Sequence, residues 1–271
     1  YGNWIDTKRF YVTKDMTPDT SNAIMNIGEA NMGDENTLSD FVKWGIENYS
    51  ADHFVLIIWD HGNSWYKNKG MEVKDISDDA TSGSSIGIGN GELRSALRNV
   101  YNQYGIKLDI LGIDRCISQT ITLSAEVQPY VNYIIASEDY ESEFGWEYTA
   151  PLNYLFENSG DITPEDLGEK ICSSYYNVYL SSPTEVKWNT LSFLDISQFN
   201  AFLDNFDILT DKFIQLSALG QKKNIINILD NYSLSNNQSN SDLGKFLNDI
   251  SANPLFMDDV RLSANYALNG Y

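Results

Sequence analysis

Two residues in this chain have the type and the setting for covalent chemistry, His61 and Cys116. The cysteine closes Leu108-Asp-Ile-Leu-Gly-Ile-Asp114-Arg-Cys116, an apolar run that reads as a strand covered on both faces. The segment 117–127 that follows is helix-like and stops before Pro129. The thiol is therefore expected at the carboxyl edge of a sheet, near a helix N-terminus that favours the thiolate. The histidine follows a denser apolar run, Phe54-Val-Leu-Ile-Ile-Trp59, in Asp60-His61-Gly62. Their separation is 116 − 61 = 55 residues, and a histidine about 50 residues upstream of a cysteine is a known order for a nucleophile and its base. The chemistry is acyl transfer: Cys116 attacks an acyl carbon and His61 moves the proton. Backbone N–H groups of Gly62 and Cys116 would hold the oxyanion. Taken singly, Cys116 reads as a buried strand-end thiol and His61 as a satisfied loop histidine. Their pairing at the ends of two similar strands, with only two cysteines and two histidines in the chain, favours catalysis.

The elements that must position this pair alternate between strand and helix. Lys8 to Val12 reads as a short strand, and Asn31 to Glu35 as a turn. A helix capped by Thr37 or Ser39 should run to Tyr49 with Leu38, Phe41, Val42 and Ile46 on one face. Residues 62–90 are rich in Gly, Ser, Asn, Lys and Asp and read as one long loop. A helix over 91–104 stops at Gly105. Val131 to Ala136 is a third strand, leaving through an acidic, aromatic loop over 137–146. A short helix spans 150–158, and Thr163-Pro-Glu-Asp166 starts another that runs to Leu180. Thr190 to Ile196 is a fourth strand; 197–271 is helical, broken near Asn236-Asn237 and Pro254. The fold class is α/β, a sandwich with a mostly parallel central sheet. Residues 1–196 make the core and 197–271 a helical segment packed on it. In such sheets chemistry belongs at the carboxyl ends of the strands, where His61, Cys116 and the 137–146 loop fall.

Composition narrows the partners. A hydrophobic content of 42% suffices for a packed core. A net charge of −20 argues against nucleic acid and anionic membranes; it suits a cationic substrate, although acidic surfaces also serve solubility. No apolar run reaches the length of a membrane span, and no signal peptide is visible. A chain that starts at Tyr1 rather than Met reads as processed or trimmed. Two cysteines do not make a disulfide scaffold, and Cys172 reads as a small core residue. His53 has no evident partner, and the spacings do not make a zinc site.

Ile58-Trp-Asp-His-Gly62, Asp109-Ile-Leu-Gly-Ile-Asp-Arg-Cys116, and Ile134-Ile-Ala-Ser-Glu138 followed by Phe144-Gly-Trp146 resemble the clostripain family of cysteine peptidases. Asn31-Met-Gly-Asp34 matches as well. The resemblance is close over residues 1–150 and loose beyond. It implies a caspase-like α/β/α sandwich and a His61/Cys116 dyad endopeptidase cleaving polypeptides after Arg or Lys. It carries Asp114 over as an acidic wall of the S1 pocket; a carboxylate there suits a guanidinium or ammonium, while its other reading is a helix cap. Further substrate contacts fall in the 137–146 loop, with Ser137, Glu138, Asp139, Glu141 and Glu143 left open. Relatives usually carry a small residue where Arg115 stands; this cation either lowers the thiol pKa or points into solvent. Relatives also begin with an apolar strand ahead of the segment that starts at Tyr1. Self-cleavage after the histidine would use Lys67, Lys69 or Lys74. Calcium is implied by some relatives, with Asp75, Asp78 and Asp79 as ligands, although their spacing is not that of an EF-hand loop. Location outside a bacterial cell, secreted or surface-bound, follows from the resemblance alone.

Rival functions have their own signatures. An inactive binding module of the same fold would leave Cys116 unlabelled by substrate analogues. A phosphatase needs an arginine about six residues after its cysteine, and position 122 is Thr. Disulfide exchange needs Cys-x-x-Cys, which is absent. Cleavage after Asp needs a basic pocket where this loop is acidic.

Overall fold

A computed structural model describes residues 5–60, 76–142, 144–158, 160–180, 189–230 and 242–269. A hairpin of β1 (Thr7–Arg9) and β2 (Met25–Gly28) comes first, then α1 (Glu35–Asn48) and β3 (Val55–Trp59). A second hairpin, β4 (Ser77–Asp79) and β5 (Ser84–Ile86), precedes α2 (Glu92–Tyr104), β6 (Leu108–Asp114), α3 (Ile121–Val127) and β7 (Val131–Ala136). Then follow α4 (Thr149–Glu157), α5 (Pro164–Leu180), β8 (Ser192–Asp195), α6 (Phe199–Ala218), α7 (Lys222–Asp230), α8 (Leu243–Ala252) and α9 (Asp258–Asn269).

The central sheet has the order β3-β6-β7-β8. β3, β6 and β7 run parallel, and β8 closes one edge antiparallel to β7. This is the α/β architecture with a mostly parallel sheet that the strand–helix alternation implies. Side chains alternate across it, as the two-residue period of a strand requires. Leu56, Ile58, Leu111, Ile113, Ile134 and Ala136 face α1, α2 and α3 through Val42, Leu93, Leu97, Leu123 and Val127. Ile110 and Ile135 face the opposite way, onto Leu167, Ile171, Tyr175 and Tyr179 of α5. Ile110, Leu111, Ile113, Ile134 and Ile135 are fully buried, and each such side chain contributes about 1.5–3 kcal/mol. β6 and β7 thus form a stiff platform whose carboxyl ends carry Asp114 to Cys116 and Ser137 onward. The later helices α6, α8 and α9 build a second apolar cluster around Leu209, Leu247, Ile250, Val260 and Ala264, against which Phe199 and Ile121 also pack. No helix among the described residues is long and apolar enough to cross a membrane.

Local chemistry departs from the expectations at several points. α1 is capped by Asp34, whose carboxylate accepts from the Asn36 amide at 2.7 Å; Thr37 and Ser39 lie inside the helix. The 62–90 stretch is not loop throughout: Ile76, Ile86 and Ile88 are buried and anchor the β4–β5 hairpin to the core. His53 has a partner, with Nδ1 at 3.3 Å from Asp109 Oδ1, while Asp109 Oδ2 accepts from the Phe54 amide at 2.8 Å. That bracket ties the start of β3 to β6. α5 begins as expected: the Asp166 amide donates to Thr163 Oγ1 at 3.1 Å, and the Thr163 amide to Asp166 Oδ2 at 3.0 Å.

Candidate active site

The carboxyl ends of β3 and β6 lie side by side. β3 and β6 pair in register with Trp59 opposite Asp114, and the Asp60 amide reaches the Asp114 carbonyl at 3.4 Å. His61 and Gly62, with Lys67, Lys69, Lys74 and Asp75, lie outside the described residues, as does Glu143.

Cys116 sits in a tight turn beyond β6. The next residue, Ile117, has φ of 51°, a left-handed conformation that costs a β-branched residue about 1–3 kcal/mol. The loop after β7 holds it there. The Ile117 amide donates to the Asp139 carbonyl, and the Ser118 and Gln119 amides to the Ser137 carbonyl, each at 2.8 Å. The Glu141 amide then donates to Cys116 Sγ at 3.3 Å. The thiol is half-buried. Burial pushes its pKa up and the nearby Glu141 carboxyl adds to that, while the Glu141 N–H and the Arg115 charge pull the other way. Arg115 is buried rather than pointing into solvent. The helix expected to favour the thiolate does not reach it: α3 starts at Ile121, five residues beyond Cys116, behind Thr120 as its cap. The strained turn takes up the residues that helix periodicity had claimed.

Beneath it lies a cluster of acids and aromatic rings. Asp114 is 1% exposed. Its Oδ2 accepts from the Tyr148 hydroxyl at 2.5 Å and from the Trp146 amide at 3.1 Å. This carboxylate does not cap a helix. Glu141 Oε1 accepts from Trp146 Nε1 at 3.1 Å, and the two carboxyls interact side chain to side chain. Asp114 Oδ1 and Glu141 Oε2 take no hydrogen from an N–H or O–H among the described residues. One proton shared by the pair satisfies both, since two buried anions at contact repel. Burial, then the Asp114 charge, pushes Glu141 up to about 9, so Glu141 holds that proton. Burial also raises Asp114, against the pull of its hydrogen bonds.

Two glycines make this packing geometrically accessible. A Cβ on Gly112 would meet the Trp146 ring and Ile57 at 3.0 Å. Gly145 has φ of 71°, and a Cβ there would stand 2.9 Å from Trp59 Nε1 and 3.0 Å from Asp114 Oδ2.

The other residues of the 137–146 loop have different surroundings. Ser137 is fully buried; its hydroxyl donates to the Asp139 carbonyl at 2.9 Å and meets Thr190 Oγ1 at the same distance. Thr190 Oγ1 also accepts from the amides of Glu138 and Asp139, each at 3.1 Å. The Asp139 carboxylate accepts from the Tyr140 amide at 2.8 Å. Glu138 lines a cavity of about 300 Å³ with Cys172, Tyr175, Tyr179 and Thr190, and its pKa is raised by burial and then by Asp242. Among the open candidates that are described, Glu141 is the one brought to Asp114. The partners Tyr148 and Thr190 were not singled out in the sequence; an aromatic residue close after a Gly-Trp pair is a weak signal. Cys172 is half-buried in the wall of that cavity, and burial pushes its thiol up to about 11.

Of the candidate calcium ligands, Asp75 lies outside the described residues, and Asp78 and Asp79 stand on β4. Asp79 already accepts backbone amides from Met32 at 2.8 Å and from Thr81 and Ser82 at 2.9 Å. No group of three or more His, Cys, Asp or Glu side chains among the described residues is placed to hold a metal.

The family model for the clostripain family, peptidase C11, matches residues 11–267. Among solved structures, the chain is similar to a secreted C11 cysteine protease from Bacteroides thetaiotaomicron, "iotapain", with a TM-score of 0.56 and 15% identity over 70% of this chain and 52% of that one. It is also similar to an inactive zymogen C11 protease from Parabacteroides distasonis, with a TM-score of 0.54 and 15% identity over 92% of this chain and 62% of that one. The chain thus spans about half to three fifths of the length of these structures. A search of curated protein sequences finds no match. The shared fold is the caspase-like α/β/α sandwich of C11 proteases.

Proposed function

The chain belongs to the clostripain family of cysteine proteases, and on that premise we propose that it is an endopeptidase cleaving after Arg or Lys with Cys116 as nucleophile and His61 as base. The carrying observation is the register of β3 on β6. Trp59 lies opposite Asp114, and His61 and Cys116 stand two residues further along their respective strands in sequence. His61 takes the thiol proton as the Cys116 sulfur bonds to the scissile carbonyl carbon. The proton passes to the leaving amine as the C–N bond breaks, and water then hydrolyses the thioester. The raised pKa of the Cys116 thiol supports a general base in this step, since the resting site does not supply a thiolate. The Cys116 amide, beside Gly62, would serve as an oxyanion donor.

The buried acids support a basic P1 residue. Asp114 and Glu141 lie directly beneath Cys116, and a guanidinium or ammonium would replace their shared proton with charge-assisted hydrogen bonds. Lys67, Lys69 and Lys74 are then substrates of the same chemistry, and self-cleavage there would precede full activity. An uncleaved chain that is fully active would sink that part of the reading. Secretion is proposed on the printed description of the B. thetaiotaomicron structure. A second reading, an inactive binding module, draws on the near-complete burial of Asp114. The experiment is turnover of paired fluorogenic peptides with P1 Arg, Lys or Asp by wild type and Cys116→Ala. Cleavage after Arg and Lys that disappears in the variant supports the proposal. No turnover of any peptide by folded wild type favours the binding module.

A further inference from the structure

The acidic pair cannot meet a P1 side chain as it stands. Described residues of the loop after β7 and the start of α4 lie over Asp114: the Tyr148 hydroxyl and the Trp146 amide hold Oδ2, Gly145 lies over both oxygens, and Glu141 lies alongside. Most of that cover is firmly anchored. The Tyr179 hydroxyl donates to the Gly145 carbonyl at 2.7 Å, Trp146 is buried with its indole on Glu141, and the Ser142 amide donates to the Tyr175 hydroxyl at 3.3 Å. Tyr148 differs. The residue is 36% exposed; its ring stacks beside Trp146 with centroids 6.3 Å apart, and its hydroxyl reaches inward to Asp114. Its position just before α4 comes with no side-chain cap to that helix. A turn about its own side-chain torsions would free Asp114 Oδ2 of the phenol.

Resting on the proposed preference for basic P1 residues, we propose that Tyr148 is the plug of the acidic pocket: its phenol occupies the place on Asp114 that a P1 guanidinium or ammonium must take, and substrate enters as Tyr148 swings out. The exchange is favourable because a cation makes a stronger, charge-assisted bond to Asp114 than a phenol does. It lowers apparent affinity, because only the fraction of molecules with Tyr148 turned out can bind. Tyr148 is therefore a specificity-determining residue, and the hydroxyl, rather than the ring, is what closes the site.

The test is steady-state kinetics on P1-Arg and P1-Ala peptides with wild type, Tyr148→Phe and Tyr148→Leu, each checked for folding by its melting curve. Tyr148→Phe keeps the ring and deletes the hydroxyl. The expected result is a fall in KM for the P1-Arg peptide of about ten- to a hundredfold, the range for losing a hydrogen bond to a charged group, with the change in KM rather than kcat. Tyr148→Leu should shift KM in the same direction. An unchanged or raised KM in Tyr148→Phe would mean that the phenol supports Asp114 instead of blocking it, and the proposal falls. Failure of the basic-P1 reading looks different: wild type and variants show no preference for P1 Arg over Ala although iodoacetamide still alkylates Cys116. The plug falls with it in that case.

Discussion

The amide of Glu141 donates to the sulfur of Cys116 across 3.3 Å while the carboxyl of the same residue lies against Asp114. One residue therefore joins the proposed nucleophile to the acidic pair. Anything that moves the loop after β7 moves the hydrogen bond on the sulfur and the proton in the pocket together. Arg115, Tyr148 and Tyr175 complete the titratable surroundings of that proton.

Stability should fall with rising pH because of this pair. Glu141 ionises near 4.5 when unfolded and near 9 in the folded protein. Below the lower value both states hold the proton and the stabilisation is complete. Between the two the unfolded chain has released its proton and the native state has not. Each pH unit in that window weakens folding by up to about 1.4 kcal/mol. Melting curves from pH 5 to 9 should show wild type losing several degrees more than Glu141→Gln, which carries no proton to lose. Parallel curves would place the charge elsewhere.

Thr190 braces the loop from beneath. Its hydroxyl oxygen accepts two backbone amides and meets Ser137. Thr190→Val keeps the shape and strands those donors, at a cost of about 2–5 kcal/mol for two unmet buried groups. A drop in melting temperature with loss of peptidase activity is expected, and Thr190→Ser should restore most of both. Calorimetry on the three proteins checks this.

Gly145→Ala should damage the pocket specifically. The new methyl group meets Asp114 Oδ2 and Trp59 Nε1 at about 3 Å, on a backbone with φ of 71°. The conformational penalty alone is about 1–3 kcal/mol. Activity toward P1-Arg peptides should fall further than the melting temperature accounts for, as judged by assay well below the melting range.

The parts of this molecule legible in sequence are those governed by periodicity and by start and stop residues. The runs at 108–114 and 131–136 are apolar on both faces because helices cover both faces, and they are strands; the run at 54–59 is a strand as well, with Leu56 and Ile58 buried and Val55 and Trp59 exposed. Thr163-Pro-Glu-Asp166 starts α5 through side chains that are neighbours in sequence. What was not legible depends on partners far apart in the chain. β2, β4 and β5 are three or four residues each, too short for a period to register; hairpin pairing holds them, and buried Ile76 and Ile86 anchor β4 and β5. Helical periodicity over 117–127 concealed a left-handed turn at Ile117 that is held by carbonyls from another strand end. At the site, Asp114 was legible as an acid two residues before Cys116. Choosing Glu141 over Glu138 and Asp139 required knowing where the loop turns, which Thr190, some fifty residues away, decides.

The most direct test of the central claim is site-resolved mass spectrometry after incubation with a peptidyl-lysine chloromethyl ketone, using wild type, Cys116→Ala and His61→Ala. The account predicts a single adduct on Cys116, none on Cys172, none on Cys116→Ala, and labelling of His61→Ala slowed by about 10²–10⁴ as loss of a general base implies. An adduct on Cys172 instead, or labelling of Cys116 that is indifferent to His61 and to lysine at P1, would contradict it.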